Sequence, residues 1–237
     1  MGAEIWYYRH MSRTARIVVP EVPHHLTQRG NNKQDIFFVE DDRYVYLELL
    51  GAQGAKYGLC IDGYCLMTNH VHVMGTPATE DALAKTMGRT HFLYTQYINR
   101  MHHRSGHLWQ NRFYSCAMED DYFLKALCYV ERNPVRAGLA DHAWDYAWSS
   151  ARAHCGEASE NALLPLNDWR DSMPGETWRE ILESFQDDGE EAGRIYRHTN
   201  TGRPLGSDRF LSRLEDMLGR SVRPRPIGRP KGWRKKK

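Results

Sequence analysis

The chain has 237 residues, 41% of them hydrophobic and 26% charged, with a formal net charge of +2. That composition describes a soluble globular protein with one substantial domain and an appendage. No apolar run approaches the ~20 residues of a membrane-spanning helix, and the N-terminus (Glu4, Trp6, Tyr7, Tyr8, Arg9, His10) lacks the apolar core of a signal peptide.

The five cysteines (Cys60, Cys65, Cys116, Cys128, Cys155) are odd in number and contain no Cys-x-x-Cys pair. They read as reduced thiols in a cytoplasm, not as a disulfide framework or a zinc ribbon. Charge is unevenly placed. Residues 157–191 are rich in acids, while the last fifteen residues hold Arg223, Arg225, Arg229, Lys231, Arg234, Lys235, Lys236 and Lys237 with no acid. A solvated tail and a nucleic-acid arm both fit such a run.

In chain order, residues 1–11 are an extension, because Met11 offers a second start. Residues 15–28 are predicted as a strand broken by Pro20 and Pro23, followed by a loop at Arg29-Gly30-Asn31-Asn32. Asp41 to Lys56 is predicted as a helix, capped by Asp41 or Asp42, with Tyr44, Leu47, Leu50 and Ala55 inward. Leu59–Met67 and His70–Thr76 pair as strands through Thr68-Asn69. A helix opens at Thr79 or Asp81 and runs to about Asn99, with Leu83, Met87, Phe92 and Ile98 inward. Trp109–Met118 is a fourth strand, which sets Trp109, Asn111 and Phe113 on one face and Gln110 and Arg112 on the other. A helix from Asp120-Asp121 should end at about Asn133, because the residue before Pro134 is pushed from helical dihedrals.

This order predicts an α+β fold, a ferredoxin-like antiparallel sheet with helices on one face. It occupies residues 12–153 and is followed by an acidic helical extension at 154–200, with Trp169, Trp178, Ile181, Leu182 and Phe185 at helical spacing. A basic tail at 201–237 includes a short helix, Asp208 to Leu218.

Two patterns carry chemistry. His70 and His72 flank one apolar residue on a strand, so both imidazoles project from one face. Tyr129 and Asn133 stand four apart, one turn along a helix face. If those faces meet, two imidazoles and an amide surround a metal with a phenol beside it. Such a set suits cleavage of a phosphodiester by tyrosine. Standing alone, each pattern is equally at home in a protein core.

Five blocks decide between these readings: Val22-Pro23-His24-His25-Leu26-Thr27-Gln28-Arg29-Gly30-Asn31, His70-Val71-His72, Leu108-Trp109-Gln110-Asn111-Arg112-Phe113-Tyr114-Ser115, Tyr129-Val130-Glu131-Arg132-Asn133-Pro134-Val135-Arg136-Ala137-Gly138-Leu139, and Trp148-Ser149-Ser150. In that order they resemble the single-tyrosine HUH transposases, and within them the REP-associated tyrosine transposases of bacteria.

The resemblance implies that Tyr129 is the nucleophile and that His70, His72 and Asn133 hold Mg²⁺ or Mn²⁺, a hard-cation N/O site completed by substrate phosphate. Attack leaves a 5′-phosphotyrosine and a free 3′-hydroxyl. With a pKa near ~10 the phenol needs a cation, and Arg132 and Arg136 are the nearest in sequence. Tyr114 and Tyr122 lack an amide four residues on and are set aside.

The implied substrate is single-stranded DNA carrying REP-like palindromes as hairpins, handled in the bacterial cytoplasm at the nucleoid by a monomer in preference to a dimer. Arg29, Asn31, Gln110, Arg112 and Arg203 are candidate DNA contacts. Arg225, Arg229 and Lys231 join them. Gly228-Arg229-Pro230-Lys231-Gly232 looks like the core of an AT-hook, although generic phosphate binding is the broader reading. His24, His25, His91, His102, His103 and His107 have no ligand spacing on a defined element and are assigned to structure or surface. Two other functions stay open: a non-cleaving regulator that binds palindromic repeats, and a rolling-circle initiator or relaxase.

Overall fold

A computed structural model describes residues 16–157, 163–164, 169, 171–187 and 189–223. Its strands are β1 (His24–Arg29), β2 (Leu59–Met67), β3 (His70–Pro77) and β4 (Tyr114–Ala117). They form one antiparallel sheet in the order β2-β3-β1-β4. The principal helices are α1 (Glu40–Tyr57), α2 (Ala82–Met101) and α3 (Asp120–Glu131). After them come the single turns α4 (Asn133–Arg136) and α5 (Ala151–His154), then α6 (Gly175–Ser184), α7 (Glu190–Thr201) and α8 (Asp208–Leu218).

The α+β antiparallel sheet agrees with the expectation, but helices cover both of its faces. Along β2 and β3, Tyr64, Leu66, Val71 and Val73 enter one core with Tyr46, Leu47 and Leu50 of α1 and Leu83, Met87, Tyr94 and Ile98 of α2. The alternate residues Cys65, Met67 and Met74 enter a second core with α3, with Trp178 and Leu182 of α6, and with Ile195 of α7. Strand residues that are apolar on both sides need cover on both sides. The C-terminal helices supply part of it. This pattern also pins the register: a slip by one residue on β3 would exchange Val71 and Val73 with His70 and His72.

Several boundaries move. β1 begins only at His24, because Pro20 and Pro23 cannot donate to a ladder and Glu21 turns the chain at φ 58°. Asp42 does support the start of α1, from inside the helix: its Oδ2 accepts from the backbone N–H groups of Phe38 (2.7 Å) and Val39 (3.0 Å). Tyr44 and Phe92, expected inward, are exposed, and Tyr46 and Tyr94 take their places. β4 is shortened to Tyr114–Ala117, so strand alternation does not govern residues 109–113. Asn111 is exposed there while Phe113 is buried.

Gly63 explains how α3 lies so close to the sheet. A Cβ at this position would collide with the Leu127 side chain. Glu131, at the end of α3, is fully buried. Its carboxyl group accepts from Ser150 Oγ, from His154 Nδ1 at 2.6 Å and from Trp178 Nε1 at 2.8 Å. Three segments of chain, α3, α5 with its N-cap Ser150, and α6, therefore meet at one side chain.

Burial holds the His24 imidazole down at about 4 and that of His91 at about 3. Unfolding returns both to about 6.5, so the unfolded chain binds more protons between those values. Stability is therefore complete above about pH 6.5 and falls as pH drops towards about 4. Urea midpoints taken across that range check this, and a flat profile would contradict it.

Candidate active site

His70, His72 and Met74 share the β3 face that looks towards α3, and β1 runs beside them with Arg29 opposite His70 and Thr27 opposite His72. Tyr129 of α3 reaches the same place: its ring centroid lies 6.2 Å from that of His72 and 6.0 Å from that of His25. The result is a cavity of about 250 Å³. His25, Arg29, His70, His72, Gln110, Tyr114, Tyr129, Asn133, Tyr196 and Thr199 are among its lining. His70, His72, Tyr129 and Asn133, which are far apart in sequence, stand together there.

The hydrogen bonds fix which imidazole nitrogens carry protons. Thr199 Oγ1 donates to Ile195 O at 2.8 Å, so it accepts from His25 Nδ1–H, also at 2.8 Å. His25 Nε2 is then an acceptor, and His72 Nδ1–H donates to it at 2.8 Å. The lone pair of His72 is left on Nε2. Asn69 is oriented by its Nδ2 bond to Lys33 O (3.1 Å), so its Oδ1 accepts from His70 Nδ1–H at 2.7 Å. His70 likewise keeps a lone pair on Nε2. Such partners on the far ring nitrogen orient metal-binding histidines in general.

Burial is the main cause of low basicity here. It holds His70 at about 4, helped by Arg29 and Arg136, and His25 at about 3. His72 lies well below its usual value for the same reason, with His70 and His25 adding to the effect. Both imidazoles are thus neutral at physiological pH, the form that ligates a metal.

Asn133 has a structural duty as well. Pro134 has no N–H to give Val130 O, and Asn133 Nδ2 donates to Val130 O (3.1 Å) and Tyr129 O (3.0 Å) instead. The Tyr129 helix itself ends at Glu131, close to the expected limit, and the chain passes through Arg132 into the separate turn α4. The Asn133 Oδ1 accepts from Arg136 Nη2 at 2.5 Å, which leaves one lone pair of that oxygen. Among the described residues no three His, Cys, Asp or Glu side chains are grouped to hold a metal. Two neutral imidazoles and a shared amide oxygen, with Arg29 and Arg136 nearby, make a weak cation site alone. They fit a hard cation whose remaining ligands are anionic phosphate oxygens.

Arg136 lies over the Tyr129 ring at 4.4 Å and favours the phenolate, yet burial outweighs it and the Tyr129 pKa is raised. Arg132 does not help. It is turned away to Asp187 (2.7 and 3.0 Å) and Leu182 O (2.6 Å).

Of the expected DNA contacts, Arg29 and Gln110 line this cavity, whereas Arg112 and Arg203 line a neighbouring cleft. Asn31 lines neither and sits in a short turn tied to Leu108 O through its backbone N–H. Arg225, Arg229 and Lys231 lie outside the described residues. Sequence reading left His25 among the structural histidines. Its spacing of two from Thr27 and four from Arg29 on β1 was the available signal. Thr199 and Tyr196 arrive from α7, and no local pattern marks them.

Residues 18–133 match the model of the IS200-like transposase family. No curated protein matches the chain. A solved REP-associated tyrosine transposase bound to a REP hairpin superposes with a TM-score of 0.54 at 15% identity, covering 62% of this chain and 86% of that one. A structure from Deinococcus radiodurans gives a TM-score of 0.36 at 17% identity, covering 51% of this chain and 96% of that one.

Proposed function

We propose that this chain, whose residues 18–133 match the IS200-like transposase family model, is a metal-dependent, single-stranded DNA endonuclease and strand transferase. It acts on REP-type palindromic hairpins through a 5′-phosphotyrosine intermediate. The observation that carries this reading is the convergence of Tyr129, His70, His72 and Asn133 on one cavity. The solved relative with its REP hairpin supplies the substrate class.

The Tyr129 phenol gives its proton to solvent as its oxygen attacks the scissile phosphorus, the bond to the 3′-oxygen breaks, and that oxygen takes a proton from solvent to leave as a hydroxyl. The phosphotyrosine ester keeps the bond energy, so a 3′-hydroxyl can attack it later and rejoin strands. Arg136 steadies the developing phenolate, and His70 and His72 would hold the cation. A bound Mn²⁺ or Mg²⁺ would polarise the phosphate and stabilise transition-state charge.

All four groups come from one chain, which supports a monomer serving its own site. Work on the chromosome places it at the nucleoid. No helix among the described residues is long and apolar enough to cross a membrane.

The test is to mix the protein with labelled single-stranded palindromes from its host chromosome and resolve the products on denaturing gels. A covalent adduct that needs Mn²⁺ or Mg²⁺ is the expected outcome. Tight hairpin binding with no adduct would replace this reading with a non-cleaving regulator.

The histidine relay makes its own prediction. His25→Ala removes the acceptor that orients His72 and should weaken Mn²⁺ affinity by about 10–100-fold. Calorimetry of Mn²⁺ binding to the complex with an uncleaved hairpin measures it. Unchanged affinity would make His25 only a core residue.

A further inference from the structure

A second cleft, of about 460 Å³, adjoins the catalytic cavity, and Tyr114 and Asn200 line both. Its walls carry three arginines from three separate segments: Arg16 before β1, Arg112 before β4 and Arg203 after α7. Arg132, Arg136, Arg152, Arg179, Arg194 and Arg223 each pair with a carboxylate. Among the described residues, none of the three cleft arginines does. Among the described residues the Arg16 guanidinium donates only to the Phe113 carbonyl (3.0 and 3.3 Å), and it lies 3.7 Å over the Phe113 ring. Arg203 gives one nitrogen to Val222 O at 3.0 Å and keeps the rest of its fork.

The like charges oppose one another: burial and the Arg112 charge together lower Arg16 to about 10. A buried polar group faces the same space. Ser115, 4% exposed, lines the cleft, and its Oγ has no hydrogen-bond partner among the described residues. An uncompensated cationic cluster with an idle buried hydroxyl lacks one thing, an anion with several acceptor oxygens.

We propose that this cleft binds a backbone phosphate of the DNA single strand adjacent to the scissile nucleotide, with Arg16, Arg112, Arg203 and Ser115 as its contacts. The proposal rests on the endonuclease reading of the neighbouring cavity. A strand that enters past Arg29 and Gln110 would cross Tyr114 into the arginines, so the cleft would set how the scissile phosphate presents to Tyr129. The exposed face of Tyr114 offers a base a surface to stack on at the boundary.

Each single-strand phosphate neutralised contributes about 0.7 to the slope of log affinity against log salt. Binding of oligo-dT, and of a hairpin with a single-stranded flank, is measured by anisotropy across a salt series with chelator present. Arg112→Ala and Arg203→Ala should each make the slope shallower by about 0.7, while Lys56→Ala, on the far end of α1, keeps the wild-type slope. Arg112 is exposed, so its variant is expected to fold, and a melting curve verifies this.

A methylphosphonate walked along the flank should find one position whose neutralisation weakens the wild type but not Arg112→Ala. Wild-type slopes in both folded variants would overturn the proposal, as would an equal loss in Lys56→Ala. Because chelator suppresses cleavage, adduct formation by the wild type is scored separately. An adduct with unchanged slopes rejects the cleft alone, and shallower slopes without an adduct reject the endonuclease alone.

Discussion

Tyr129→Phe is expected to abolish the covalent protein–DNA adduct, a loss of at least about 10³-fold, with hairpin affinity little changed. Phenylalanine keeps the ring that packs beneath Arg136 and beside His25 and His72, so the cavity keeps its shape. Only the oxygen that would bond to phosphorus is removed. The comparison that matters is between two measurements on the same protein: adduct on denaturing gels, and affinity in solution. A residual adduct in Tyr129→Phe would move the nucleophile elsewhere. Tyr114 and Tyr196, which line the same cavity, would be examined next. Arg136→Ala is expected to leave an adduct but slow its formation, because burial raises the Tyr129 pKa and Arg136 is the cation that opposes it.

Glu131→Ala is expected to destabilise the fold by about 3–5 kcal/mol, since it leaves buried polar partners without their acceptor. Ser150, His154 and the Trp178 indole all donate to that carboxyl group, and none has water to turn to. For a chain of this size the melting temperature should fall by roughly 10 °C. Glu131→Gln keeps an oxygen and the shape, so it should cost less than Glu131→Ala. Thermal and urea unfolding measure both. A loss below about 1 kcal/mol for Glu131→Ala would show that the donors find other acceptors. The consequence reaches the site, because Glu131 follows Tyr129 by two residues and ties α3 to α5 and α6. Arg132, clamped on Asp187, holds the same helix end from the other side.

Local pattern and motif order were enough to bring His70, His72, Tyr129 and Asn133 forward as candidates, and the fold gathers them around one cavity. His70 and His72 are readable as one strand face because side chains alternate with a period of two. Tyr129 and Asn133 are readable as one helix face because neighbours recur every three or four residues. The α2 helix followed from its apolar spacing for the same reason, and α8 spans the predicted Asp208–Leu218. The limits of β1 and β4 were harder, since a strand exists only where a partner offers its ladder. Trp109 to Phe113 have strand-like residues, yet only Trp109 makes an isolated bridge, with Gly30.

What the chain alone determined about this protein is which residue types are available for the chemistry and on which local face each stands. The tertiary structure decided the rest. It chose β1 as the neighbour of β3, which turned His25 into the partner that orients His72. It brought α7 over the sheet, so that Thr199 completes the relay from 174 residues away in sequence. It gathered Arg16, Arg112 and Arg203 around one cleft. It also gave Asn133 a structural bond pattern that competes with the metal role proposed for it. The physical reason is range. Periodicity and capping act within a few residues of chain, whereas burial, hydrogen-bond closure and charge pairing act through space between segments whose meeting only the folded sheet arranges.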